Sequence, residues 1–287
     1  MVTILALGAA LSYGVADFLG GAVARRSTAL KALLWCVPTG LTFIVIATLL
    51  TGGTPAAPSM AWGFGAGLAG GTGLITFYRA LAQGPMSVVA PVSALTASLL
   101  PVGVGLLRGE RLDTTVLLGV LLCLVAIGLV SMEENDDERA TATNWLDNGP
   151  VMAGVSGACF GVFFILLKEA GDNSGLWPLV GARLGNLVIV LAAFAVLARL
   201  RPGAAPKVSG RLMIGLALLS GVLDAGANVL YFLAVQDGML SLAAVLTSLY
   251  PAITVLMARI AYSERLRAVQ QIGLALAAAG VALVTVG

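Results

Sequence analysis

The stretch LAVQDGMLSLAAVLTSLYPAITVLMARIAYSERL, Leu233 to Leu266, lies without a gap over RALAQGPMSVVAPVSALTASLLPVGVGLLRGERL, Arg79 to Leu112, at a constant offset of 154 residues. Ala80, Gly84, Ser87, Ala90, Leu95, Glu110, Arg111 and Leu112 meet Ala234, Gly238, Ser241, Ala244, Leu249, Glu264, Arg265 and Leu266, and further on Gly119 meets Gly273. Upstream, SYGV at Ser12 matches CFGV at Cys159 more weakly and at a different offset. Self-similarity over this length marks one structural unit used twice. The fold therefore turns on what a single unit contains.

Working outward, the composition puts each unit in lipid. Of 287 residues, 59% are hydrophobic and 10% charged, and the mean hydropathy is +1.00. A soluble domain is about 45–50% apolar and about a quarter charged. About 20 apolar residues cross about 30 Å of hydrocarbon. That window finds ten spans: Ile4 to Ala24, Ala32 to Leu50, Ala61 to Ala82, Ser87 to Leu107, Thr114 to Met132, Val151 to Leu167, Leu176 to Ala198, Leu212 to Val235, Leu240 to Tyr262 and Ala268 to Val286. The breaks between them, TGGTPAAPS and QDGM among them, carry the Gly, Pro and charge of loops. The longest break, EENDDERATATNWLDNGP, is acidic. It divides the chain into a first five-helix repeat (1–132), a polar linker (133–149) and a second repeat (150–287). Ala22-Val23-Ala24 before Arg25 has the look of a signal-peptide cleavage site, but the run before it carries Asp17 and lacks a charged start, so it reads as a span.

Five spans per unit is an odd number, so the second copy starts on the opposite side of the membrane from the first. The expected fold is an all-α integral membrane protein of ten transmembrane helices in two inverted five-helix repeats, a recurring design of transporters with a substrate site between the repeats.

YRALAQGPMSVVAPVSAL in the first half, with LTSLYPAITVLMARIAYSERLRAVQQIGLALAAAGVAL in the second, resembles the EamA family of the drug/metabolite transporter superfamily. The resemblance covers nearly the whole chain. It implies a ten-helix bundle whose central cavity is lined by helices 1 to 4 and 6 to 9, with helices 5 and 10 peripheral. It also implies export or exchange of amino acids, other metabolites or small amphipathic compounds across the bacterial plasma (inner) membrane. One position departs from the pattern: Ala97 stands where Pro251 stands, with Pro91 and Pro101 nearby, so the helix 4 bend is expected elsewhere.

A charged side chain at membrane depth costs about 2.5–3.5 kcal/mol on insertion scales and usually faces a cavity or a partner. Asp17 is the one carboxylate in the uncharged run from Met1 to Ala24, with Tyr13, Gly14, Gly20 and Gly21 on its face. It is either a cavity group that binds a cation or proton, or a structural acid paired with Arg or a backbone donor. Ser220, Asp224, Asn228 and Tyr231 form a stripe on helix 8 that lines a cavity or serves interhelical hydrogen bonding. Thr72, Thr76, Arg79 and Gln83 form a similar stripe on helix 3, although Arg79 is near enough to the helix end to snorkel. Arg183 and Asn186 share a face of helix 7, and Arg79 and Arg183 are the candidate partners of Asp17 and Asp224. Thr247, Tyr250 and Thr254 surround Pro251 in helix 9. Pro91, Pro101 and Pro251 are candidate gating kinks or simple packing kinks. Glu110 and Glu264 read as capping and anchoring groups. The Gly-rich run GFGAGLAGGTG lies in a span, where close helix packing accounts for it.

These residues exclude some function classes. There is no histidine, and Cys36, Cys123 and Cys159 sit alone in apolar runs, which makes a zinc site or disulfide framework implausible and casts them as small buried residues. No nucleophile–base pair, metal cluster or phosphate-cradling loop is evident, so the chain is not read as an enzyme and no cofactor is expected. A net charge of +2 gives no reason for a nucleic-acid partner. The expected partners are the lipid bilayer, a small-molecule substrate and, as a coupling ion, protons carried by Asp17 and Asp224. The functional expectation is a small-solute transporter working by alternating access, as a monomer or weak homodimer. The alternative is a channel or a non-transporting structural membrane subunit. Orientation stays open: the excess of Lys and Arg after helices 1, 7 and 9 puts both termini outside the cytoplasm, whereas the resemblance implies the reverse.

Overall fold

The computed structural model describes residues 1–83, 86–110, 113–130, 149–171, 174–200, 210–262 and 268–286. The linker 133–148 lies outside them, as do Gly84, Arg111, Leu112, Glu264, Arg265 and Leu266 of the repeat alignment. The described residues form eleven helices and no strand: α1 Val2–Arg26, α2 Ala29–Thr51, α3 Ala57–Gln83, α4 Met86–Leu107, α5 Thr114–Val130, α6 Gly149–Glu169, α7 Trp177–Leu200, α8 Arg211–Gln236, α9 Leu240–Thr247, α10 Tyr250–Tyr262 and α11 Ala268–Val286. Six stretches are long and apolar enough to cross a membrane by length and composition: α1, α2, α6, α7, α8 and Leu240–Ala258, which runs across the break between α9 and α10. Large apolar side chains such as Leu50, Leu107, Leu191 and Ile260 point outward, while Ala6, Ala9, Ala66, Ala225 and Ala243 are sealed inside. Apolar exterior and small-residue interior together mark a bundle solvated by lipid and packed by close helix approach.

The ninth expected span is two helices rather than one. α9 ends at Thr247, Ser248 caps it, and α10 restarts at Tyr250. Pro251 has no N–H to return to the Thr247 carbonyl, and α1 approaches so closely here that a Cβ on Gly14 would lie 2.6 Å from the Tyr250 carbonyl oxygen. Two threonines then tie the broken segment to α1: the Thr247 hydroxyl donates to the Ala6 carbonyl at 3.5 Å, and that of Thr254 to the Gly14 carbonyl at 3.1 Å. α4, with Ala97 at the corresponding position, runs unbroken through Pro91 and Pro101. A proline absent from the sequence reading, Pro38, also lies inside a continuous helix, α2.

Glycines set the closest contacts. A Cβ on Gly67 of α3 would lie 2.0 Å from the Ala182 carbonyl oxygen of α7, and one on Gly185 of α7 would lie 2.4 Å from the Phe64 carbonyl oxygen. The run GFGAGLAGGTG is therefore a helix-packing face. α8 meets α2 in the same manner, since a Cβ on Gly221 would lie 2.3 Å from the Cys36 carbonyl oxygen. Cys36 and Cys123 are buried, whereas Cys159 is only partly so.

The main packing joins the two halves of the chain. α1 lies on α8 and on α9–α10, α2 on α7 and α8, α3 on α6 and α7, α4 on α6 and α9–α10, and α5 on α11. One end of the bundle gathers the start of α1 and the finish of α6. There Lys168 donates to the carbonyls of Val235 and Gly238, both at 2.9 Å, and a Cβ on Gly238 would touch Val2. Arg108 pairs with Glu169, and the Trp177 indole donates to the Gly53 carbonyl at 3.1 Å, at that same end. Glu110, in the loop after α4, caps not the next helix but α9: Oε1 accepts from the Leu240 N–H at 2.9 Å, and Oε2 from the Ser241 hydroxyl at 2.6 Å. A carboxylate at a helix N-terminus satisfies otherwise unpaired N–H groups. At the other end, Arg25 donates to the Leu81 carbonyl at 3.0 Å.

Candidate functional site: a central polar and aromatic cavity

Between the halves lies an open-sided cavity with about 520 Å³ of empty space. The first half supplies Tyr13 and Asp17 from α1, Gly70 and Leu74 from α3, and Ala97 from α4. The second supplies Phe160, Phe163 and Phe164 from α6, Asn186 from α7, Asp224 and Asn228 from α8, and Tyr250 from α10. Helical spacing explains the grouping: Tyr13 and Asp17 are one turn apart, as are Asp224 and Asn228, and the three phenylalanines recur at three and four residues. Gly70 leaves room for a ring, since a Cβ there would meet Phe163 at 2.8 Å. Tyr250 stands at the start of α10, so the chain break puts its ring beside Tyr13, with centroids 6.3 Å apart in an edge-on arrangement.

The charges are unevenly matched. Arg183, whose side chain is 3% exposed, donates from Nη1 to Asp224 Oδ2 at 2.5 Å. Its Nη2 is buried with no partner among the described residues. The Asn228 amide donates to the Asp224 backbone carbonyl at 2.7 Å, so it holds its own helix rather than the carboxylate. Asp17 is 8% exposed. Among the described residues it has no ion pair and accepts no hydrogen bond. One guanidinium is thus set against two carboxyl groups around the cavity. Asn186 borders the cavity with a buried Oδ1 that has no donor among the described residues.

Of the residue pairings expected from sequence, Arg183 with Asp224 forms. Arg79 and Gln83 lie on the exposed face of α3, away from the cavity. The glycine face of α3 is the one turned inward, and Thr72 and Thr76, on the same outer stripe, satisfy their hydroxyls on the Leu68 and Thr72 carbonyls, both at 2.9 Å. Tyr231 and Thr247 are fully buried but outside the lining. Tyr231 stacks on Phe164 at a centroid distance of 4.3 Å and so backs the cavity wall. Ser220 serves helix packing, donating to the Ala16 carbonyl at 2.8 Å and meeting the Tyr78 hydroxyl at 3.2 Å. The side chain of Pro91 falls outside the described residues. The aromatic wall of α6 was not singled out from the sequence, where CFGVFF is an apolar run like any other. Among the described residues no group of His, Cys, Asp and Glu side chains could hold a metal ion.

This arrangement can be set beside known proteins. A solved crystal structure, described only as that of a protein, matches with a TM-score of 0.69 at 20% identity, over 99% of this chain and 96% of that chain. At such identity the likeness concerns fold alone. No curated protein shows a significant match. The sequence pattern of the EamA-like transporter family matches residues 148–286. That second half is similar to the EamA-like transporter family, and the chain has six stretches apolar and long enough to cross a membrane.

Proposed function

We propose that the chain is a small-solute carrier of ten spans, in which two inverted five-helix halves alternate access to the cavity between them, in the plasma membrane of a bacterium. α9 and α10 together form the ninth span and α11 the tenth. One observation carries the reading: buried and half-buried polar side chains from both halves, Tyr13 and Asp17 on one side and Asn186, Asp224 and Asn228 on the other, meet in a single cavity. A site divided in this way changes its access when the halves rock.

The packing supports the inverted arrangement. Exchanging the halves turns the contact of α1 with α8 into that of α3 with α6, and α2 with α8 into α3 with α7, while α5 with α11 maps onto itself. Gly14 and Gly161, aligned through SYGV and CFGV, each press on the span of the other half that carries the repeat match. The family match over 148–286 agrees with a repeat unit at 150–287. Asp224 is engaged by Arg183, which leaves Asp17 as the carrier of a coupling proton.

Purified full-length protein in liposomes, given a panel of metabolites with and without a pH gradient, tests this. Saturable uptake with counterflow is expected. Flux that rises linearly with concentration and shows no counterflow would mean a channel, and absence of all flux a structural subunit.

A further inference from the structure

Resting on the carrier reading, we infer that the solute bound in the cavity is an arylalkylammonium ion carrying a single positive charge, with its ammonium on Asp17 and its ring among Tyr13, Phe160, Phe163, Phe164 and Tyr250. The Asp17 carboxylate is more than nine-tenths buried and has no partner among the described residues. Arg183 does not neutralise it, because that guanidinium is held by Asp224. A buried carboxylate without a counterion is costly, so Asp17 holds either its coupling proton or a bound cation that balances its charge. Asn186 Oδ1, from the other half, is a second acceptor lacking a donor among the described residues. Two donor-less acceptors call for a ligand that brings both charge and N–H groups. An anion would be set against the Asp17 carboxyl group, and a neutral solute would leave it without a counterion.

The wall selects the rest of the molecule. Five aromatic rings line the cavity. Their faces attract a cation and their edges and faces stack with another ring. Tyr13 and Tyr250 are already edge-on to each other at 6.3 Å, an arrangement that leaves ring surface toward the cavity rather than sealing it in a stacked pair.

The probe set is phenethylammonium, its neutral counterpart 2-phenylethanol, and the anion 3-phenylpropionate, measured by equilibrium dialysis with the full-length protein in detergent. Phenethylammonium is expected to bind most tightly, and Asp17→Asn to weaken it about ten- to a hundredfold, as loss of a charge-assisted contact does, while 2-phenylethanol is little changed. Glu169→Gln, which removes an acid outside the cavity, should leave binding as it is. Equal wild-type binding of the alcohol or the anion, or an Asp17→Asn variant of native helix content and elution volume that keeps full affinity for the amine, overturns the inference. The liposome panel separates the two failures. Transport of other solutes without amine binding sinks only the substrate class, whereas Asp17-dependent amine binding without flux sinks only the carrier.

Discussion

At the scale of single residues, the Arg183–Asp224 pair and Asp17 divide the labour of charge. Arg183 is sealed against Asp224, and removing one member of such a pair strands the other, at about 3 to 5 kcal/mol. Arg183→Gln is therefore expected to lower the melting temperature in detergent markedly. The double variant Arg183→Gln with Asp224→Asn is expected to recover much of the loss, since no buried charge is left alone. A double-mutant cycle with additive single effects would contradict the pairing. Glu110 offers a second test. Its carboxylate holds the Leu240 and Ser241 N–H groups at 2.9 and 3.2 Å. Loss of a cap costs about 0.5–2 kcal/mol, so Glu110→Ala should speed hydrogen exchange at those two amides while leaving the amides of α7 unchanged.

At the scale of elements, the helices meet through absent side chains. Gly67→Ala would place a methyl 2.0 Å from the Ala182 carbonyl. α3 and α7 must then move apart, an overpacking cost of about 1 to 3 kcal/mol. Gly226 of α8 has nothing within 4 Å of where its Cβ would stand. Gly226→Ala should instead stabilise, by up to about 1 kcal/mol, through better helix propensity. Thermal unfolding of the two variants in the same detergent should therefore shift in opposite directions. The same element-level logic accounts for the break between α9 and α10. The proline deletes one hydrogen bond, and α1 fixes the backbone on both sides of the gap through Thr247 and Thr254.

At the scale of the whole molecule, the loops fall into two sets. The start of α1, the Glu110 loop, the end of α6 and the start of α9 share one end. Single cysteines placed at Gly53 and Gly109 are expected to label from the same side of sealed vesicles, and one placed at Glu264 from the opposite side. Labelling of positions 109 and 264 from one side would end the inverted reading, because the repeat alignment sets Glu264 on Glu110, the residue next to Gly109.

The sequence by itself determined the lipid setting, an internal self-match, a family resemblance and most of the polar cavity residues. These follow from local quantities: apolar run length, a constant offset, and the cost of placing a charge at depth, which marks Asp17, Arg183 and Asp224 wherever they point. The assignment of Arg79 and Gln83 to the cavity could not be checked locally, since a helix with a glycine stripe and a polar stripe does not say which one faces inward. Tertiary structure decided that the glycines of α3 pack on α7 and turn the polar stripe out. It also decided which acid Arg183 meets, which helix Glu110 caps, and that the CFGVFF rings wall the cavity rather than face lipid. Each of these depends on distance between residues far apart in the chain, and pairing across a bundle is fixed only when all its helices have packed.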